Sequence, residues 1–236
     1  MRVEPVGMTQ INWNRVFKVD DEPWAKFMID SDDDLKDTDV LAEAAGRNCY
    51  QSWSKPNPAT ATNQKYLSRT VGEEKHESIL EHSSVTFYVD GVSRSLLAEL
   101  SRHRFLSFSV MSQRYVDESE GRYVVPPLVE EDQGVKTSLS MVHAELTKLY
   151  KIIVFGLQLQ GIPRKRAREA ARAVLPQMQE TKMFVTGNIR AWRDVIKKRH
   201  HVAADAEIQQ FANQILGQLR NLAPNAVQDI PDTPFS

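Results

Sequence analysis

The sequence fits an α+β fold in a single domain, and three observations point there. Strand-like segments occur at three separated places, within residues 1–18, at Val85–Val89 and at Thr181–Ile189. Helical spacing of apolar residues fills much of the chain between and after them. The 236 residues, 41% hydrophobic and 26% charged, suffice for one ordinary core and at most two small units.

Composition excludes several classes. A net charge of −1 argues against a dedicated nucleic-acid binder, which carries a marked basic excess. No apolar run approaches the roughly 18 residues that span a bilayer. The segment Met1-Arg-Val-Glu-Pro5 lacks the apolar core of a signal peptide. The single cysteine, Cys49, forbids an internal disulfide and fits a reducing, cytoplasmic setting. No Cys-x-x-Cys, Gly-x-Gly-x-x-Gly or Walker loop is present.

Each element has its own signal. Val3, Val6, Ile11, Val16 and Phe17 predict one or two strands near the start, and Asp30–Asp34 an acidic turn. Asp37–Cys49 reads as a helix, with Val40, Leu41, Ala44, Ala45 and Cys49 near helical spacing. Cys49 is expected in the core, where free cysteine is common. A proline-bearing loop follows at 52–59, then a helix over Asn63–Glu74. His76 and His82 are six apart, not the four of a zinc-protease helix, so no metal site is expected. Ser93 is a plausible N-cap for a helix from Arg94 to Ser101, and Arg122–Val125 a strand stopped by Pro126-Pro127. Val135–Leu159 reads as a long amphipathic helix for core and subunit packing, and Pro163 opens the next one. Asn188 to Arg199 and Asp205 to Leu222 are further helices. A domain over 1–222 is expected, with 223–236, rich in proline, as a mobile tail.

The chemistry concentrates at Ser101–Tyr115. Arg102, His103 and Arg104 are followed after seven residues by Ser112, then Gln113 and Arg114. Adjacent cations repel, and anionic phosphate is the common reason to cluster arginines, whose planar fork never deprotonates. On a continuing helix Arg102 and Arg104 would point about 200° apart, so the helix is expected to end here, before the helix-poor run Ser107-Phe-Ser109. Glu99, three residues before Arg102, is expected to pair with it locally. A second basic stripe runs through Arg164, Arg168 and Arg172. Arg172 precedes the apolar Ala-Val-Leu-Pro, which predicts a position near the core, paired by an anion or by Glu169.

Arg-His-Arg, seven residues, then Ser resembles the signature of the flavin-dependent thymidylate synthases, in particular their actinobacterial branch. Other matching segments are Cys49 to Ser52, His76-x-Ser78-x-x-Glu81-His82, Glu169-x-x-Arg172-x-x-Leu175-Pro176, Asn188-x-Arg190 and Glu207-Ile208. Together they span roughly residues 40 to 215. The chain departs from the family at Lys75, Phe105, Val110, Asp194 and Ala203. The resemblance implies a twisted, mostly antiparallel sheet with flanking helices. It implies reductive methylation of dUMP to dTMP, with methylenetetrahydrofolate as carbon donor, NADPH as reductant and FAD as redox carrier. Arg94, Glu99, Arg102, Met111, Ser112, Gln113, Arg114, Arg172 and Arg199 are implied to hold dUMP. Ser78, Arg102, His103, Arg104, Asn188, Arg190 and Asp194 are implied to hold FAD. Arg199 is the implied catalytic residue, stabilising negative charge on the uracil ring, in active sites shared between subunits of a homotetramer. The cysteine lies outside these segments, which agrees with a route that needs no covalent cysteine adduct. Two rivals stay open: a nucleic-acid binder using the same arginines, and a family member disabled by the four departures at Phe105, Val110, Asp194 and Ala203. A visible flavin band separates the synthase from both.

Overall fold

A computed structural model describes residues 1–55 and 57–236. Pro56, in the expected proline-bearing loop, lies outside them. Four antiparallel strands form the sheet: β1 (Arg2–Met8), β2 (Ser84–Ser93), β3 (Ser107–Val110) and β4 (Glu180–Asn188), in the order β1-β2-β4-β3. The helices are α1 (Trp13–Val16), α2 (Pro23–Ile29), α3 (Asp37–Tyr50), α4 (Asn63–Leu67), α5 (Arg94–Leu100), α6 (Gln133–Leu159), α7 (Arg164–Ala171), α8 (Ile189–Arg199) and α9 (Ala206–Leu222). No helix of the described residues is long and apolar enough to cross a membrane. The expected α+β architecture is therefore present.

Strand periodicity explains the layering. Val85, Phe87 and Val89 on β2 and Met183 and Val185 on β4 point to one buried face. Helices α5, α8 and α9 cover it with Leu96, Leu100, Trp192, Val195, Ile196, Phe211 and Ile215. Each of these large side chains contributes about 1.5–3 kcal/mol by leaving water. Trp192 stacks edge-on against Phe87 with centroids 5.1 Å apart, and its indole N–H donates to the Val85 carbonyl at 3.1 Å. The ring fits because residue 187 is glycine: a Cβ there would meet Leu106 at 2.5 Å and Trp192 Nε1 at 3.2 Å. On the other sheet face, Tyr88 and Phe184 pair and Phe184 stays 48% exposed. A bulge between Val89 and Val92 bends β2, and Gly91 there takes a φ of +70°.

Sequence and structure differ in several places. Residues 13–19 are helical, so the N-terminus supplies one strand, and α2, which pairs with α3 in a small cluster around Phe27 and Met28, had no sequence reading. Cys49 is exposed, on the side of α3 away from that cluster. Arg122–Val125 forms only a single bridge, Tyr123 to Gln179. The expected tail is packed: Ala223, Ala226, Val227 and Ile230 are buried, and Phe235 bridges to His201. Buried polar groups hold it. Both Asp39 oxygens accept the backbone N–H groups of Asn225 and Ala226 at 3.0 Å. Arg193 on α8 is fully buried and grips Asp229 and the Ala226 carbonyl on one side and Glu77 on the other.

Candidate active site

Helix α5 brings the basic stretch to the surface. The Ser93 hydroxyl accepts the Leu96 N–H at 3.0 Å and so starts the helix, while Glu207 holds Ser93 in turn at 2.8 and 2.5 Å. The helix stops at Leu100, as the diverging directions of Arg102 and Arg104 require. A turn follows, and β3 then pairs with β4. Helix α8 begins where Asn188 Oδ1 caps the Ala191 N–H at 2.8 Å, and it ends at Arg199 beside the signature turn.

Two basic hollows flank this turn. One, of about 500 Å³, is walled by Arg102, His103, Arg104, Asp194, Lys198 and Arg199. The other, of about 600 Å³, is walled by Arg94, Ser101, Phe108, Gln113 and Arg172. A third hollow of about 660 Å³ beside Pro126–Leu128 has no cation in its wall. Arg102, Arg104 and Arg172 have no carboxylate partner among the described residues, so their charge is available to a ligand.

Hydrogen bonds fix the inner groups of the first hollow. Arg199 donates from Nη1 to Glu99 Oε2 at 2.8 Å, from Nη2 to the Glu99 carbonyl at 3.2 Å, and from Nε to His103 Nε2 at 3.1 Å. Glu99 therefore pairs with Arg199, 100 positions away, rather than with Arg102. Burial and the neighbouring Asp205 carboxylate, which accepts from the protonated form, hold the Glu99 carboxyl above its ordinary value, against the pull of Arg199. His103 is buried, and its Nδ1 faces Asp194 Oδ2 at 3.4 Å. Burial, then the Arg199 charge, push the His103 imidazole below the usual histidine value. Asp194 also holds Lys198 at 2.8 Å, a wall residue that sequence reading missed although its i,i+4 spacing from Asp194 was legible.

In the second hollow, Arg94 donates to the Met111 carbonyl at 2.9 Å and its buried Nε has no protein partner. Burial holds Arg94 below the usual arginine value, with Glu118 pulling up and Arg172 pushing further down. Arg172 is exposed in this wall rather than near the core. The buried member of its stripe is Arg168, which donates to Asp117 at 2.5 Å and to the Tyr115 carbonyl at 2.6 Å. Glu169 is taken by Arg114 at 2.7 Å and by Arg166 at 2.8 Å. Ser112 Oγ accepts the Arg114 N–H at 3.3 Å and shapes that turn.

Some predicted residues stand outside both hollows. Met111, Ser112 and Arg114 lie next to the wall residue Gln113 without lining it. Ser78 is exposed on a short turn of 3₁₀ helix. Arg190 is paired with Glu81 at the opposite end of α8 from Arg199. Lys75 adopts a φ of +60° beside the exposed His76.

The family model described as "Thymidylate synthase complementing protein" matches residues 31–225. A probable flavin-dependent thymidylate synthase of Mycobacterium phage L5 is 53% identical over 205 residues, covering 85% of this chain and 84% of the relative. The chain belongs to the flavin-dependent thymidylate synthases. A second phage relative, from Mycobacterium phage D29, is 50% identical over 92% of this chain and 94% of its own. The flavin-dependent thymidylate synthase of Mycobacterium tuberculosis H37Rv is 46% identical over 201 residues, covering 82% and 80%. A Helicobacter pylori thymidylate synthase X solved with FAD and dUMP shares the fold, with a TM-score of 0.67 at 22% identity over 97% of this chain and 98% of that one. The chain is thus an enzyme of the methyltransferase class whose reaction converts dUMP to dTMP.

Proposed function

We propose that the flavin is FAD, the carbon donor methylenetetrahydrofolate and the reductant NADPH, and that Arg199 is the catalytic residue. The carrying observation is the 3.1 Å contact between Arg199 and His103, which joins the signature turn to the end of α8 at one basic hollow. A guanidinium is a fixed, delocalised positive charge. Its guanidinium, aimed into a partly buried hollow, stabilises negative charge developing on the uracil N3 and carbonyl, which makes carbon 5 nucleophilic. Arg94, Arg172 and Gln113 hold the nucleotide phosphate, helped by Met111, Ser112 and Arg114 along the same turn. The free charge of Arg172 and the orphaned Arg94 Nε fit an anion there. Glu99 and Arg102 complete the dUMP site. Arg102, Arg104, His103, Asp194, Asn188, Arg190 and Ser78 face FAD, and the unpaired charges of Arg102 and Arg104 fit a diphosphate. When bound, the flavin supplies the reducing equivalents.

These groups line separate hollows in one chain, which supports active sites completed by a neighbouring subunit in a homotetramer. The exposed apolar stripe of α6, with Val142, Leu149, Ile152 and Phe155, suits that packing. The test is the visible spectrum of the purified protein with FAD, with and without dUMP, followed by dTMP formation. A flavin band that shifts with dUMP is expected. Arg199→Ala should keep the flavin band and lose methylation; normal turnover in that variant overturns its catalytic role.

A further inference from the structure

The hydrogen bonds around His103 specify more than proximity. An arginine Nε–H only donates, so the 3.1 Å contact requires His103 Nε2 to be an unprotonated acceptor. The remaining proton of a neutral imidazole then sits on Nδ1, which is the nitrogen that faces Asp194 Oδ2 at 3.4 Å. A carboxylate is acceptor-only, and Lys198, four residues on, holds the other Asp194 oxygen in place at 2.8 Å.

We propose that Asp194 and His103 are positioning residues for Arg199. Asp194, accepting at Nδ1, secures the tautomer of His103 that the Arg199 contact requires, and His103 in turn holds the Nε edge of Arg199 while Glu99 holds its Nη edge. With both edges held, the guanidinium plane cannot rotate away from the hollow. The second polar edge of His103 is thereby spent on protein, so it contributes its ring face, not a hydrogen bond, to whatever occupies the hollow.

The pH behaviour follows from every charge facing the ring. Arg199 and Lys198 from α8, and Arg102 and Arg104 on either side of His103 in its own turn, disfavour an imidazolium. Asp194 from α8 and Glu99 from α5 favour it. Protonation at Nε2 would set N–H against N–H and release the Nε edge of Arg199.

This rests on the synthase reading only for its kinetic arm; the tautomer arm needs no substrate. The full-length protein, labelled with ¹⁵N-histidine and assigned with His103→Gln, is examined by nitrogen NMR at neutral pH. The Nδ1–H form of His103 is expected in the wild type and in Asp194→Asn, whose amide oxygen still accepts. Asp194→Ala should show mixed tautomers. A dominant Nε2–H form in the wild type, or an unchanged tautomer in Asp194→Ala, overturns the proposal. In the kinetic arm, dTMP formation by Asp194→Ala, counted per bound flavin, should fall about tenfold or more in kcat/KM, with the Asp194→Asn value restored to within about threefold. Equal loss in both variants overturns the positioning role. If no variant, nor the wild type, takes up flavin or forms dTMP, the synthase assignments fail while the tautomer result stands by itself.

Discussion

Replacing Arg193 by alanine should unfasten the C-terminal segment and lower stability by about 3–4 kcal/mol. The side chain has no solvent exposure and makes five hydrogen bonds: two from Nη1, to Ala226 O and Asp229 Oδ1, both at 2.6 Å, two from Nη2, and one from Nε to Glu77. Removing it leaves Asp229 and Glu77 facing each other's side of an empty pocket, but these carboxylates keep 24% and 16% exposure, which places the cost toward the lower part of the range for broken buried pairs. For a chain of this size that corresponds to a fall in Tm of about 6–15 °C. Urea unfolding at pH 7, with limited proteolysis to find cuts near residues 223–235, measures it. Arg193→Lys, which keeps the charge and loses the fork, should fall between. The pH dependence has a definite sign. Although burial pushes both carboxyls up, the Arg193 and Lys197 charges and hydrogen bonds hold Asp229 and Glu77 below their ordinary values. Their contribution is complete above those values of 3.8 and 4.5 and disappears as pH falls through the lower folded ones. The gap between wild type and Arg193→Ala should thus narrow as pH falls below those ordinary values of 3.8 and 4.5. A loss under about 1 kcal/mol at pH 7, or a gap that widens in acid, refutes the reasoning.

Two further outcomes can be checked on stability alone. Gly187→Ala forces a Cβ toward Leu106 and Trp192 and should cost about 1–3 kcal/mol, with a shifted Trp fluorescence maximum; an unchanged Tm refutes the tight contact. Asp39, buried behind the last turn, is pushed up from 3.8 to about 6, with burial outweighing its two backbone hydrogen bonds. Its folded value exceeds its unfolded one, so its contribution is full below 3.8 and lost as pH rises through 6. Between pH 4 and 7 the wild type should lose up to about 3 kcal/mol relative to Asp39→Asn, and parallel pH profiles for the two would refute it.

The signals that read well were local. Ser93 and Asn188 each cap the helix that their spacing predicts, and the strands at 85–89 and 181–189 pair as antiparallel neighbours. What failed was the direction of single side chains. Residues four apart on a helix drift by about 40°, so Arg164, Arg168 and Arg172 fan across its surface and only tertiary packing decides which turns inward. It is Arg168, because Asp117 and the Tyr115 carbonyl wait there. Glu99 likewise had a legible neighbour three residues on and a better one on another helix, Arg199, that spacing could not reveal. The same applies to residues 223–236, whose prolines read as loop but whose docking sites, Asp39 and Arg193, lie far away in sequence.

Helix α8 works as a two-sided beam. Its C-terminal half presents Asp194, Lys198 and Arg199 to the basic hollow, while Arg193, one position from Asp194, points the other way and clasps the chain's last turns. Residues 223–235 are thereby a splint bound along the rear of the beam whose front carries the groups we propose for the chemistry. Truncations or bulky fusions behind residue 222 would therefore register as lesions of nucleotide binding, although none of the removed residues lines either basic hollow.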